Sequence, residues 1–178
     1  MLKLNLGCGD VRVDGWVNID LESEKADLKR DLRDPLPYED DTVDFIYSEH
    51  LIEHLNLNEG LKLLSECRRV LRPGGVLRIA TPDLDYVVFK YFFFWKRQDW
   101  IKKYGYGGLR TRAEMLNLVF REWGHQYLYN SEELKRRLRE VGFEKDKISP
   151  QKINRSKYAE LKNRETRKDS KLTIEAIK

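Results

Sequence analysis

The chain has 178 residues, enough for one domain with its own hydrophobic core. Hydrophobic residues make up 40% and charged residues 36% of the sequence, a composition typical of a globular protein with a heavily charged surface. No apolar run is long enough for a membrane-spanning helix. The two cysteines, Cys8 and Cys67, lie outside any C-x-x-C motif, which argues against a disulfide framework or a zinc ribbon and favours a reducing cytoplasm.

The net charge of +4 is unevenly distributed, because residues 145–178 hold 11 Lys and Arg against 5 Asp and Glu. A basic end region of this kind is compatible with a nucleic-acid partner. The signs are mixed, however, and only Tyr158 places an aromatic ring among the charges. We therefore favour a solvated surface for this region and no nucleic acid as partner.

The first twenty residues combine a strand, a glycine turn and a second strand that ends on an acid. Leucines at 2, 4 and 6 alternate with polar residues and lead directly into Gly7-Cys8-Gly9-Asp10. Glycine there allows positive φ and a close approach of the backbone to a ligand. Residues 16–20 form the second predicted strand, which ends at Asp20. This order is typical of a nucleotide-type site, in which the acid binds ribose hydroxyls.

Strand and helix patterns then alternate along the chain. The further predicted strands cover residues 26–31, 41–48, 76–81, 143–149 and 172–177. The predicted helices cover residues 58–71, 83–104 and 111–122, and a last one begins at the capping box of Asn130 and Glu133 and ends at Gly142. Residues 150–170 are polar and are expected to form a loop or a short helix. The pattern predicts a doubly wound, mostly parallel α/β sheet of about six to seven strands, with ligands at the carboxyl ends of the strands.

An aromatic block lies in a predicted helical insertion at about 83–125 of what we expect to be a single domain, 1–178. Eight rings occur between residues 86 and 100: Tyr86, Phe89, Tyr91, Phe92, Phe93, Phe94, Trp95 and Trp100. So many rings exceed what one face of a helix can bury, which favours packing against the sheet and against a second copy of the chain, as a homodimer. A lid over a hydrophobic or sugar substrate, or contact with a membrane surface, is the alternative.

These segments together resemble a class I S-adenosylmethionine-dependent methyltransferase over residues 1 to about 143. The resemblance rests on Leu4-Asn5-Leu6-Gly7-Cys8-Gly9, on Asp20, on the strand that leads to Ser48-Glu49-His50, and above all on Glu66-Cys67-Arg68-Arg69-Val70-Leu71-Arg72-Pro73-Gly74-Gly75. It implies a Rossmann-like fold. Only thirteen positions separate Gly7 from Asp20, too few for the usual first helix, so we expect that helix to be abbreviated. Either a turn replaces it or the cofactor site is more open than usual.

The resemblance also implies S-adenosylmethionine as the cofactor and a set of residues around it. Gly7 and Gly9 are expected at its methionyl part, Asp20 at the ribose, and Asp31 with Leu32 at the adenine. Asn5 stands where the family usually has an acid. The complete predicted set is Asn5, Gly7, Cys8, Gly9, Asp20, Leu21, Asp31, Leu32, Tyr47 and Ser48, with the Tyr47 ring facing the sulfonium.

Methyl transfer from a sulfonium is an in-line displacement that needs no metal but can use a base. His125 is the first candidate, because the resembled fold places it over the mouth of the site, and Glu49 and His50 follow. The methyl acceptor is expected to be a small molecule or a saccharide, with RNA as an alternative.

Two other functions remain open from the sequence. The altered glycine motif is compatible with a degenerate fold that binds a partner and does not catalyse. His50-Leu51-Ile52-Glu53-His54 also spells H-x-x-E-H, the signature of a zinc hydrolase, if the two histidines share one helix face and a third ligand is present.

Overall fold

A computed structural model describes residues 1–178, apart from the side chain of Asp99. Its seven strands are β1 (Lys3–Leu6), β2 (Val17–Asp20), β3 (Leu28–Lys29), β4 (Val43–Glu49), β5 (Leu71–Thr81), β6 (Ile148–Pro150) and β7 (Leu172–Ile177). The helices are α1 (Leu57–Val70), α2 (Leu84–Phe92), α3 (Asp99–Lys103), α4 (Arg112–Asn117) and α5 (Ser131–Glu140), and a π-helical turn, Leu118–Glu122, continues α4. None of the described helices is long and apolar enough to cross a membrane.

The strands form one sheet in the order β3-β2-β1-β4-β5-β7-β6. All pairs from β3 to β5 are parallel, and β7 runs antiparallel to both β5 and β6. The mostly parallel, Rossmann-like sheet predicted from the sequence is therefore confirmed. Because β1, β2 and β4 are parallel neighbours, their carboxyl ends meet at one edge, where Gly7, Asp20 and His50 follow them.

One face of the sheet carries the main apolar core. Leu4, Leu6, Ile46 and Leu77 alternate onto this face and pack against α1 and α5. Helix α1 begins at Asn56 through a capping box with Glu59, which the sequence analysis did not identify. The predicted cap at Asn130 is present on α5, but the Glu133 carboxylate binds Tyr127 and Arg137 and does not reach back.

The other face of the sheet is covered by irregular chain. Between β1, β2 and β3 the described chain forms turns only, so the first helix, predicted to be abbreviated, is replaced by a turn. Residues 151–171, which join β6 to β7 and are called here the β6–β7 connection, pack over this face. Leu161 of the connection joins Trp16, Phe45 and Val76 in a small apolar cluster.

A buried ion-pair network ties the β6–β7 connection to the sheet. Arg78 of β5 binds both oxygens of Glu165 at 2.6 and 2.9 Å and Glu175 of β7 at 2.6 Å, and all three side chains are buried. The Arg78 guanidinium also donates to the carbonyl of Arg155. The expected loop at 150–170 is thus irregular but structurally integrated, and it is not only a solvated surface.

The helices between residues 84 and 122 pack on each other through Val87, Trp100, Met115 and Val119. The single helix predicted for 83–104 is divided into α2 and α3, and the predicted strand 143–149 is reduced to β6 after a 3-10 turn. Four phenylalanines of the aromatic block remain more than half exposed: Phe89, Phe92, Phe93 and Phe94.

Candidate functional site

A cleft lies at the carboxyl ends of β1, β2 and β4, with a volume of about 550 Å³. This volume lies within the range usual for small-molecule sites. We call it the strand-end cleft. Its lining residues are Gly7, Gly9, Asp20, Leu21, Glu22, Arg30, Asp31, Leu32, Arg33, His50, Leu51, His54, Leu55, Glu59 and Gln126.

The glycine turn leaves room for a ligand at the floor of the cleft. Gly7 has a φ of +67°, and a Cβ there would lie 3.0 Å from Leu51 Cβ. A larger residue would therefore be strained and would close the turn against Leu51. Gly9 has a φ of +48° and donates its N–H to Asp20 at 2.9 Å.

Asp20 holds the cleft together at the end of β2. Its carboxylate accepts N–H bonds from Gly9, Glu22 and Ser23 at 2.9 to 3.0 Å. Burial alone would raise the pKa of Asp20, but these N–H bonds outweigh it and hold the pKa below its usual value. A carboxylate has about four acceptor positions, so one remains for a ribose hydroxyl.

Asp31 and Leu32 line the same cleft, at the side where the sequence places the adenine. Hydrogen bonds from the Arg33 guanidinium hold the pKa of Asp31 at about 2, so this carboxylate is ionised at neutral pH. Six of the predicted cofactor residues therefore lie together: Gly7, Gly9, Asp20, Leu21, Asp31 and Leu32. A cleft of this volume with a glycine turn and two acids near strand ends fits S-adenosylmethionine.

The other four predicted cofactor residues do not line the cleft. Tyr47 lies on the opposite side of β4 from Ile46 and Ser48, buried beside Trp16 and Phe45, because side chains alternate along a strand. Its ring therefore packs under the β6–β7 connection and does not face the cleft. Ser48 is buried within the sheet.

Asn5 and Cys8 lie in and beside the turn that replaces the first helix. The Asn5 side chain donates to the Val11 carbonyl at 3.2 Å and, in buried surroundings, to Asn18 Oδ1 at 2.9 Å. It therefore holds the β1–β2 turn against β2 and does not take the place of the family's acid at the cofactor. The Cys8 thiol is buried, and burial raises its pKa.

A second cavity, of about 290 Å³, opens beside the strand-end cleft and shares His50 and His54 with it. We call it the aromatic cavity. Its lining residues are His50, His54, Pro82, Asp83, Tyr86, Val87, Gln98, Trp100, Tyr104, Val119, Trp123, His125, Arg167 and Asp169. The aromatic block contributes Tyr86 and Trp100 to this wall. Arg167 and Asp169 come from the β6–β7 connection, and nothing in the sequence placed them near the site.

His125 is the predicted base whose ring has an unoccupied acceptor nitrogen. It is buried in the wall of the aromatic cavity, and its Nδ1 lies 2.6 Å from the Val119 carbonyl oxygen. A carbonyl only accepts, so Nδ1 carries the proton and Nε2 keeps its lone pair. Burial lowers the pKa of His125, although the Glu53 carboxylate pulls in the other direction, which favours the neutral ring.

His50 is already engaged through both ring nitrogens. Nδ1 lies 2.9 Å from Glu53 Oε1, and Nε2 lies 3.0 Å from Ser170 Oγ. Burial would raise the pKa of Glu53, but His50 outweighs it and holds the pKa below its usual value. His50 lies between the two cavities with both ring nitrogens close to other side chains, so His125 stays the first candidate for the base.

Glu49 lies at the end of β4 and lines neither cavity. Its carboxylate accepts hydrogen bonds from the N–H groups of Thr166 and Arg167 and from the hydroxyls of Thr166 and Ser170, at 2.8 to 3.1 Å. These bonds fasten the β6–β7 connection beside the aromatic cavity. Glu49 is therefore a positioning residue for that connection, which its place at a strand end did not predict.

The H-x-x-E-H sequence does not form a helical zinc motif in this fold. His50 follows β4 with a φ of +53°, and only Ile52–His54 forms a 3-10 turn, so the two histidines do not share a helix face. A different set of groups lies close together: ligand atoms of Glu53, His54 and His125 lie within 4.8 Å of one another. These three could hold a metal ion.

Comparisons with known proteins show which family this chain resembles. A family model described as "Methyltransferase domain" matches residues 4–79. A probable S-adenosylmethionine-dependent methyltransferase of Mycolicibacterium smegmatis is 39% identical over 59 residues, which are 33% of this chain and 22% of the relative. The match therefore spans about a fifth of that curated relative's length.

Two solved structures share the fold across nearly the whole chain. A SAM-dependent methyltransferase from Archaeoglobus fulgidus has a TM-score of 0.61 and 17% identity, and the alignment covers 99% of this chain and 85% of that one. A SAM-dependent methyltransferase from Thermotoga maritima, described as a possible histamine N-methyltransferase, has a TM-score of 0.59 and 17% identity. That alignment covers 99% of this chain and 82% of the other. The predicted Rossmann-like fold is thereby confirmed, and dependence on S-adenosylmethionine, the predicted cofactor, is named for each of these relatives.

Proposed function

The chain has the fold of the class I S-adenosylmethionine-dependent methyltransferases, and from this premise we propose that it transfers a methyl group to a small-molecule or saccharide acceptor. One observation carries the proposal: the strand-end cleft and the aromatic cavity meet at His50 and His54. A methyl donor in the first and an acceptor in the second would face each other across these two residues. Holding two reactants in this way accounts for much of the rate of a displacement.

The strand-end cleft supplies the donor half of the site. S-adenosylmethionine, when bound, supplies an electrophilic methyl group. Asp20 would accept a hydrogen bond from a ribose hydroxyl through its remaining acceptor position, and Gly7 and Gly9 would give the backbone room to approach the ligand. Asp31 and Leu32 form the adenine side.

The aromatic cavity supplies the acceptor half. His125 accepts a proton from the acceptor's hydroxyl or amine through Nε2, while Val119 keeps its Nδ1 protonated. Trp100, Tyr104 and Trp123 give the cavity flat apolar walls, against which a sugar ring or another ring can pack.

The test is formation of S-adenosylhomocysteine when the purified protein is given S-adenosylmethionine and a panel of sugars, small alcohols and amines. We expect at least one acceptor to raise product formation above the rate without acceptor. Cofactor binding with no turnover on any acceptor class would instead support a non-catalytic binding module, and transfer to RNA alone would replace the small-molecule acceptor.

A second candidate, a metal-dependent hydrolase, is favoured by one observation, the proximity of Glu53, His54 and His125. Metal analysis of protein purified without chelators separates the two functions. Stoichiometric zinc that is lost in His54→Ala would support the hydrolase. Metal-free protein that still binds S-adenosylmethionine would support the methyltransferase.

Two further predictions about this enzyme concern its assembly and its location. Phe89, Phe92, Phe93 and Phe94 line neither of the two cavities, and we retain for them the proposed homodimer contact within residues 86–100. Light scattering tests it, and a strict monomer would contradict it. The cytoplasmic location expected from the cysteines likewise remains a prediction.

A further inference from the structure

A third cavity continues the aromatic cavity on the side away from the strand-end cleft. Its volume is about 470 Å³, and it shares Tyr86, Gln98, Trp100 and Asp169 with the aromatic cavity. A molecule in the aromatic cavity can therefore extend into it. We call it the cationic cavity, because its remaining walls are Arg97, Lys103, Thr166, Lys168 and Lys171.

The charges of this cavity are strongly unbalanced. Among the described side chains that line it, four are cationic and one, Asp169, is a carboxylate, which is bound to Arg167 at 3.1 Å. Among the side chains that the structure describes, no carboxylate lies within ion-pair distance of Arg97, Lys168 or Lys171. Like charges gathered in a concave site raise the local potential and attract an anion.

Two separate parts of the chain bring these cations together. Arg97 and Lys103 flank and end α3, and Lys168 and Lys171 belong to the β6–β7 connection. Lys171 is held over the Tyr86 ring, with Nζ 5.4 Å from its centroid, so its ammonium lies at the shared wall. The same connection is fastened by Glu49 and Arg78, which places Lys168 and Lys171 on an anchored segment.

We propose that the cationic cavity binds a phosphoryl group of the methyl acceptor, so that the substrate is a phosphorylated molecule. The inference deepens the proposed function and rests on it. Phosphoryl oxygens offer several acceptors and about two negative charges, which suits a guanidinium and several ammonium groups converging from different sides. With the phosphoryl group there, the rest of the acceptor lies in the aromatic cavity, towards His125.

A calorimetric titration with inorganic phosphate at low ionic strength tests the site without any methyl transfer. Lys168→Glu combined with Lys171→Glu should weaken phosphate binding about tenfold or more. Lys145→Glu combined with Lys147→Glu, two exposed lysines outside the cavity, is the matched control and should leave binding within about twofold of wild type. Equal loss in both double variants, or no binding by the wild type, would overturn the proposal.

A parallel titration with S-adenosylmethionine separates this proposal from the proposed function. Phosphate binding that depends on Lys168 and Lys171, without cofactor binding, would support the anion site and contradict the methyltransferase function. Cofactor binding without such phosphate binding would support the methyltransferase function and contradict the anion site. The charge-reversal variants replace exposed side chains, and their thermal melting checks that they fold.

The phosphoryl group could belong to a soluble metabolite or to a lipid headgroup, and two competitors of phosphate distinguish them. A hexose phosphate that displaces inorganic phosphate more strongly than the free hexose supports a soluble acceptor. Co-sedimentation with phosphatidylcholine vesicles that contain phosphatidic acid, lost in the Lys168 and Lys171 double variant, supports a headgroup. A phosphorylated substrate would be contradicted if the hexose phosphate does not displace inorganic phosphate and the vesicles do not bind through Lys168 and Lys171.

Discussion

The two faces of the sheet are held by different interactions. On one face, alternating leucine and isoleucine side chains pack against α1 and α5 in a continuous apolar core. On the other, a small apolar cluster lies beside the Arg78, Glu165 and Glu175 network, and an irregular connection covers both. The first face is built by helix and strand periodicity, and the second depends on particular ion pairs and hydrogen bonds.

The cavities of the candidate site also depend on different parts of the fold. The strand-end cleft follows from parallel strands ending at a common edge. The aromatic and cationic cavities need the β6–β7 connection, which contributes Arg167 and Asp169 to the first and Lys168 and Lys171 to the second. We therefore expect changes on the second face to impair acceptor binding while cofactor binding persists.

The largest expected effect is on the catalytic rate, in a variant that loses the proposed base but keeps the strand-end cleft intact. His125→Gln should lower kcat by roughly 10²- to 10⁴-fold, the usual contribution of a general base, because Nε2 is lost as proton acceptor. The Kd of S-adenosylmethionine, measured by calorimetry, should not change, since His125 lies outside the strand-end cleft. Arg121→Gln, an exposed neighbour outside the aromatic cavity, is the control. An unaltered kcat in His125→Gln would remove His125 from the mechanism.

A second variant tests the ion-pair network of the connection. Arg78→Met should lower the free energy of unfolding by about 3–5 kcal/mol, because it leaves the carboxylates of Glu165 and Glu175 buried without their cation. Urea denaturation measures the change.

Arg72→Met gives the matched comparison on the same strand. Arg72 pairs with Asp44 at 2.6 Å but is half exposed, so its loss should cost less than about 1 kcal/mol. Equal destabilisation by the two variants would contradict a special role for the buried network.

A smaller effect is expected where Glu49 fastens the connection. Glu49→Gln removes a charged acceptor of the Thr166 and Arg167 N–H groups, so these amides should exchange hydrogen about tenfold faster. The KM of the acceptor should rise while the Kd of S-adenosylmethionine stays the same. Glu160→Gln, whose carboxylate makes no hydrogen bond to a described residue, should change neither. Unchanged exchange at both amides in Glu49→Gln would show that Glu49 does not hold the connection.

The sequence predicted the first face well and the second poorly, for physical reasons. Alternation and caps are local signals, so β1, β4, α1 and α5 could be placed within a few residues. Long-range pairs such as Arg78 with Glu165 leave no local pattern, so the connection was expected to be a loop or short helix with a solvated surface.

The same distinction applies to individual site residues. Gly7, Asp20 and Asp31 were found because strand ends are recognisable in the sequence. Tyr47 was misplaced because motif order does not settle which face of β4 it occupies, although alternation from Ile46 could have indicated it. Arg167 and Asp169 reach the aromatic cavity only through the fold of the connection.

The central claim is that the strand-end cleft binds S-adenosylmethionine through Asp20, and calorimetric titration of the whole chain tests it most directly. We expect a Kd between about 1 μM and 1 mM, the range usual for enzyme substrates. Asp20→Ala should weaken binding about tenfold or more, because both the ribose acceptor and the bond to the Gly9 turn are lost. Asp14→Ala, an exposed acid of the same turn, should bind like wild type. No binding at about 1 mM cofactor, or equal binding by Asp20→Ala and wild type, would contradict the account.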